Sequence, residues 1–94
     1  MAEVIVYSTS ACPFCDRTKA LLTKWNIAFD EVRVDQSSAG LKEMEKNTNH
    51  ARTVPQIMIQ GRWIGGLDEL TELHMDGELK DLVSAQSRSA DYPD

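Results

Sequence analysis

The chain has 94 residues, enough for one domain and too few for two, since independently folding domains usually run to about 100 residues or more. Hydrophobic residues at 41% and charged residues at 27% are ordinary globular values and exclude disorder, collagen and coiled coil. A net charge of -5 has the wrong sign for a general nucleic-acid binder or for an anionic membrane surface, so neither partner is expected.

No apolar run approaches the roughly 20 residues that span a bilayer, and strand-like alternation begins at Glu3 with no targeting segment expected before it. The expected address is the cytosol. Two cysteines, Cys12 and Cys15, are too few for the disulfide framework of a small secreted protein. In a reducing compartment a C-x-x-C pair is metal-binding or redox-active before it is a structural staple.

In chain order, residues 3–7 (E-V-I-V-Y) predict a strand buried on both faces. Residues 8–11 form a small polar loop, and Pro13 suits the first position of a helix, where its missing N–H would lack a partner anyway. That helix carries Ala20, Leu21 and Leu22 as apolar residues and Asp16, Arg17, Lys19 and Lys24 as charged ones, and it ends near Asn26. A second strand is predicted over residues 27–34, with Ile27, Phe29, Val32 and Val34 as its apolar set.

Ser37 or Ser38 can cap a second helix with Leu41 and Met44 on one face, ending over residues 47–49. Residues 56–59 and 62–64 predict two short antiparallel strands joined by Gln60-Gly61. Gly65-Gly66 breaks the second of them, Asp68 is the predicted N-cap of a third helix bearing Leu67, Leu70 and Leu73, and Gly77 ends it. Leu79, Leu82 and Val83 predict a final turn packing back, and residues 85–94 a frayed tail.

The order β-α-β-α-β-β-α predicts an α/β fold: a parallel β-α-β unit followed by a hairpin, in one four-stranded mixed sheet flanked by helices. Cys12 then lies beyond the carboxyl end of the first strand, where open α/β sheets usually place their ligands.

Cys12-Pro13-Phe14-Cys15 at the head of the first helix, Thr53-Val54-Pro55-Gln56 before the third strand, and Gly65-Gly66-Leu67-Asp68 before the third helix together resemble a glutaredoxin. The resemblance covers about residues 3–83, so the domain is expected at 1–84. It implies a thioredoxin-like fold and glutathione-dependent thiol-disulfide exchange. Two cysteines place the chain with the dithiol class rather than the monothiol class, whose motif ends in serine.

The residues support the same chemistry. At a cap position the Cys12 sulfur can accept hydrogen bonds from the N–H groups of Phe14 and Cys15 and feel the positive end of the helix dipole. Such settings lower a cysteine pKa from about 8.5 into the range of roughly 3.5 to 7.5, and Arg17 and Lys19 add positive charge nearby. A pKa near 7 raises the thiolate fraction at pH 7 about 16-fold but costs about 6-fold in nucleophilicity, so attack gains only about 3-fold. The larger benefit falls on the step in which Cys12 is the leaving group.

Cys15 follows at i+3 on the same helix side, within disulfide range. Cys12 is therefore read as nucleophile and Cys15, inside the first turn, as resolving thiol. A zinc site recruiting His50 or His74 is the metal alternative. One C-x-x-C supplies two of four ligands and neither histidine has a partner at zinc-site spacing, so no metal is expected.

The resemblance further implies a glutathione site. Pro55 would be cis and face the active cysteine, with Thr53 and Val54 presenting main chain to the tripeptide. Gly66, Leu67 and Asp68 would receive its γ-glutamyl carboxylate and ammonium at a helix N-terminus. Phe14 would form an aromatic wall, replacing the commoner tyrosine. Lys42 matches the place of a residue for the glycine carboxylate, or is one charge on a solvated face. Thr9 stands where the family often has lysine, which removes one anchor for the glycine end.

The expected partners are glutathione and glutathionylated or disulfide-containing proteins, with glutathione reductase and NADPH acting indirectly and the chain a monomer. The alternative function is a [2Fe-2S] carrier, in which two protomers and two glutathiones hold a cluster through Cys12. Pro13 argues against it, since cluster-binding relatives usually have a less rigid residue there. A redoxin reduced by thioredoxin reductase is a third reading, disfavoured by the carboxylate site at residues 66–68.

Overall fold

The computed structural model describes residues 4–80 and 82–83. Glu3, expected to open the first strand, and residues 85–94, expected as a tail, lie outside the described residues. The elements are β1 (Val4–Ser8), α1 (Pro13–Lys24), β2 (Asp30–Arg33), α2 (Ser38–Asn47), β3 (Gln56–Ile59), β4 (Arg62–Gly65) and α3 (Leu67–Met75). The strands form one sheet in the order β2-β1-β3-β4, with β1 parallel to β2 and the pairs β1–β3 and β3–β4 antiparallel. This is the predicted four-stranded mixed sheet.

Period-2 alternation along the two central strands divides the core. Val4 and Val6 of β1 and Ile57 and Ile59 of β3 pack with Leu22 of α1, Leu70 of α3 and Leu79 beyond it. Tyr7 and Met58 face the other way, packing with Val34 and with Met44 of α2. Leu82 and Val83 rest against the first cluster, as predicted for a segment packing back.

Helices α1 and α2 bury only part of the stripe their apolar residues suggested, Leu22 in one and Met44 in the other. In α1 the buried residues are Cys15, Thr18 and Leu22, while Ala20 is exposed. In α2 they are Gly40 and Met44, with Thr48 just beyond, and Leu41 stays 39% exposed. Gly40, Met44 and Thr48, at i, i+4 and i+8, hold the buried stripe, and Leu41, three residues before Met44, stands at its edge. Gly40 allows the close approach, since a Cβ there would lie 2.7 Å from Val32 Cγ1.

Strand β2 is shorter than predicted. Asn26 takes a left-handed φ of 61°, and the Ile27 N–H turns back to the Leu22 carbonyl at 2.8 Å, so that N–H belongs to the end of α1 and not to a ladder. Ile27 and Phe29 still pack on the first core cluster. The hairpin turn is regular despite its sequence: Gln60 and Gly61 both have positive φ, 53° and 79°, the signature of a mirror-image turn that matches strand twist.

Tyr7 carries the one hydroxyl of the second cluster. It donates to Glu43 at 2.7 Å and accepts from Asn47 at 3.1 Å, tying β1 to α2. Burial first, then the Glu43 carboxylate, pushes its pKa up to about 12.

Candidate functional site

Strand β1 ends at Ser8, and four residues later Cys12 caps α1 in an extended conformation. Its sulfur accepts the Cys15 N–H at 3.0 Å. The second predicted donor, the Phe14 N–H, makes no such bond. Cys12 and Cys15 are joined as a disulfide with Cα atoms 5.1 Å apart, the reach that helical i, i+3 spacing provides. Cys12 is 8% exposed and Cys15 fully buried, so attack from solvent can reach only the first.

The loop carrying Cys12 is held from the end of β2 and the residues just after it. The backbone N–H and hydroxyl of Ser10 both donate to Asp35, at 3.0 and 2.6 Å, and Arg33 donates to the same hydroxyl at 2.6 Å. These Ser10 bonds, the side-chain one first, hold the Asp35 carboxyl below its usual range. Lys19, expected to supply charge near the thiol, is instead paired with Glu31 at 2.9 Å and Asp16 at 3.7 Å. Much of its field is therefore cancelled locally. The Ser8 hydroxyl and then Lys19 lower the Glu31 pKa.

Across from Cys12, the Val54–Pro55 peptide bond is cis, and the Val54 carbonyl oxygen lies 3.8 Å from the Cys12 sulfur. From this point a groove of about 660 Å³ runs to the start of α3. Phe14, 60% exposed, and Trp63, 45% exposed, line it as aromatic walls. Thr53, Val54 and Pro55 line it too, and Gly66, Leu67 and Asp68 contribute the α3 N-terminus. The two loops nearly touch, since a Cβ on Gly66 would come 3.2 Å from the Pro55 carbonyl oxygen.

Gly66, not Asp68, is the N-cap of α3; Asp68 sits inside the first turn. Glu69 takes over the capping, its carboxylate accepting the Gly66 N–H at 2.8 Å, which leaves the Leu67 and Asp68 N–H groups at the open end. Lys42, exposed on α2, and Thr9, half-buried in the loop after β1, do not line the groove, and the Cys12–Cys15 pair adjoins it at the Val54 carbonyl without lining it. Trp63, Gln56 and Glu69 line it without having been foreseen. Trp63 is hidden in sequence because it reads as one more apolar strand residue.

The sequence model of the glutaredoxin family matches residues 4–64. This chain belongs to the glutaredoxin family. It is 41% identical over 83 residues to glutaredoxin 3 of Escherichia coli, covering 88% of this chain and 99% of that one. It is 37% identical over 87 residues to glutaredoxin 1 of Rickettsia typhi, covering 92% and 84%. Among solved structures, the buckwheat glutaredoxin–glutathione complex matches with a TM-score of 0.79 at 31% identity, over 89% of this chain and 78% of that one.

The fold of this glutaredoxin is therefore thioredoxin-like, and its Cys12–Cys15 pair is that of the dithiol class. Its activity is that of a thiol-disulfide oxidoreductase. The geometry suits that chemistry: the helix N-terminus favours a sulfur anion at the first cysteine, and the second stands one helical turn away.

Proposed function

We propose that this glutaredoxin uses glutathione to reduce glutathione mixed disulfides and protein disulfides, with Cys12 as nucleophile and Cys15 as resolving thiol. The observation that carries the reading is the groove leading from the Val54 carbonyl beside Cys12 to the N-terminus of α3. It offers main chain for a cysteinyl residue at one end and helix N–H groups for a carboxylate at the other. The buckwheat relative, solved with glutathione, supports the same ligand.

In the proposed cycle the Cys12 thiolate attacks the glutathionyl sulfur of a mixed disulfide, and the protein thiolate leaves. A second glutathione thiolate then attacks the same glutathionyl sulfur, forming glutathione disulfide and releasing the Cys12 thiolate. For a protein disulfide, Cys12 attacks one sulfur, and Cys15 attacks Cys12 to release the dithiol and close the Cys12–Cys15 disulfide. Two glutathione molecules reopen it. Val54 holds the cysteinyl main chain, the Leu67 and Asp68 N–H groups hold the γ-glutamyl carboxylate, and the Asp68 carboxylate meets its ammonium. Phe14 covers the tripeptide. The cytosol, with its glutathione and NADPH, is the proposed setting.

The deciding experiment is turnover of a glutathione mixed disulfide coupled to glutathione reductase and NADPH. Saturable NADPH oxidation is expected, and no turnover overturns the reading.

A further inference from the structure

We propose that Trp63 is a positioning residue for the substrate-facing loop 53–55, acting through the side-chain amide of Gln56. The inference rests on the groove reading above. The Trp63 indole N–H donates to Gln56 Oε1 at 2.8 Å, and Gln56 Nε2 donates to the Thr53 carbonyl at 2.9 Å and to the Thr53 hydroxyl at 3.2 Å. An unbroken chain of hydrogen bonds thus runs from β4 to the residue before Val54.

The direction of the chain is set by chemistry. An indole nitrogen can only donate, so it must face the amide oxygen of Gln56. The amide nitrogen is then the atom left for Thr53, whose carbonyl can only accept. Gln56 is nearly fully buried, so an unpaired amide oxygen would carry a desolvation penalty, and Trp63 is the group that removes it.

The sheet supplies the geometry. Trp63 pairs with Met58, which puts its ring diagonal to Gln56 two residues back on the same face, within reach of an aromatic side chain. The pairing slips by one residue between Ile57 and Met58, which separates Trp63 from Gly65 in register. Trp63 is nearly half exposed on an edge strand, so burial does not require a tryptophan there, and its polar contact gives the residue a role.

The test is steady-state kinetics of the full chain with two substrates, a glutathione mixed disulfide with glutathione as reductant and a short glutathione-free disulfide-linked peptide with dithiothreitol as reductant. Trp63→Phe keeps a ring and removes the N–H. It should raise KM about threefold to tenfold, the span of one neutral hydrogen bond, and leave kcat within about twofold. Gln56→Met should raise KM at least as far, and the double variant should be no worse than Gln56→Met alone, because both break one chain. An unchanged KM for Trp63→Phe on both substrates, or additive losses in the double variant, overturns the proposal. If Gln56→Met does not fold, Trp63→Phe alone decides. Wild-type turnover confined to the peptide, with the KM shift intact, refutes glutathione dependence and leaves the positioning role standing.

Discussion

Trp25, which closes α1, and His74, in the last turn of α3, stack nearly parallel, with ring centroids 3.8 Å apart and 14° between their planes. The contact clamps together the far ends of the two helices on one face of the sheet. Both helices start at the groove, so the clamp sits at the end of the molecule away from the chemistry. Aromatic pairs of this kind are worth about 0.5 to 1.5 kcal/mol beyond burial. His74→Ala is expected to lower Tm by roughly 4 to 8 °C per kcal/mol lost, while His74→Phe keeps most of the stability. Thermal melts of the two variants check this, and equal losses would refute the stacking term.

The contact between Gly40 and Val32 is a second steric test. A Cβ at position 40 would overlap Val32 Cγ1, so Gly40→Ala must push α2 away from β2 despite the better helix propensity of alanine. A loss of about 1 to 3 kcal/mol is expected. Val32→Ala alone also destabilises, but in the double variant the two changes should offset each other. Denaturant midpoints of all three proteins measure the coupling, and simple additivity would show that the contact is not the cause.

Acid sensitivity should centre on Glu31. Its folded pKa lies below the ordinary value of 4.5 because of the Ser8 hydroxyl and then Lys19. As pH falls through 4.5 the unfolded chain therefore takes up this proton before the native one does. The stabilisation is fully present above 4.5 and is lost as pH falls through the folded pKa. Glu31→Gln should be less stable at neutral pH and show a shallower acid limb. Asp35, held down by Ser10, works in the same direction, so part of the limb remains. Chemical unfolding across a pH series gives both slopes, and parallel curves would exclude Glu31.

The two cysteines should separate by variant. Cys12→Ser is expected to reduce turnover to background with every disulfide substrate. Cys15→Ser should keep reduction of glutathione mixed disulfides, where glutathione resolves the intermediate, and lose two-thiol reduction of protein disulfides. Parallel assays on one glutathionylated protein and one protein disulfide check this. Activity retained in Cys12→Ser would reverse the assignment.

Much of the site was legible because its signals are local. Pro13 marks the first helical position whatever surrounds it, so Cys12 falls at the cap and Cys15 one turn on. The strand runs read at 3–7 and 56–59 announce themselves by β-branched and apolar residues that no exposed segment would carry. Less legible were positions whose role depends on a partner far along the chain. Lys19 read as a charge for the thiol, but Glu31 on β2 takes it. Asp68 read as a cap, but Glu69 bends back to Gly66 and does that work.

By itself the sequence determined the order of elements, the mixed sheet and the placement of a reactive cysteine pair at a strand-to-helix junction. Each of these follows from backbone preference and hydrophobic period within a few residues. Only the tertiary structure decided that Met44 is buried and Leu41 is not, that Lys42 stands outside the groove, and that Trp63 reaches Gln56. Those outcomes turn on which faces the packed sheet leaves open and which donor meets which acceptor across strands, and residues distant in the chain settle them together.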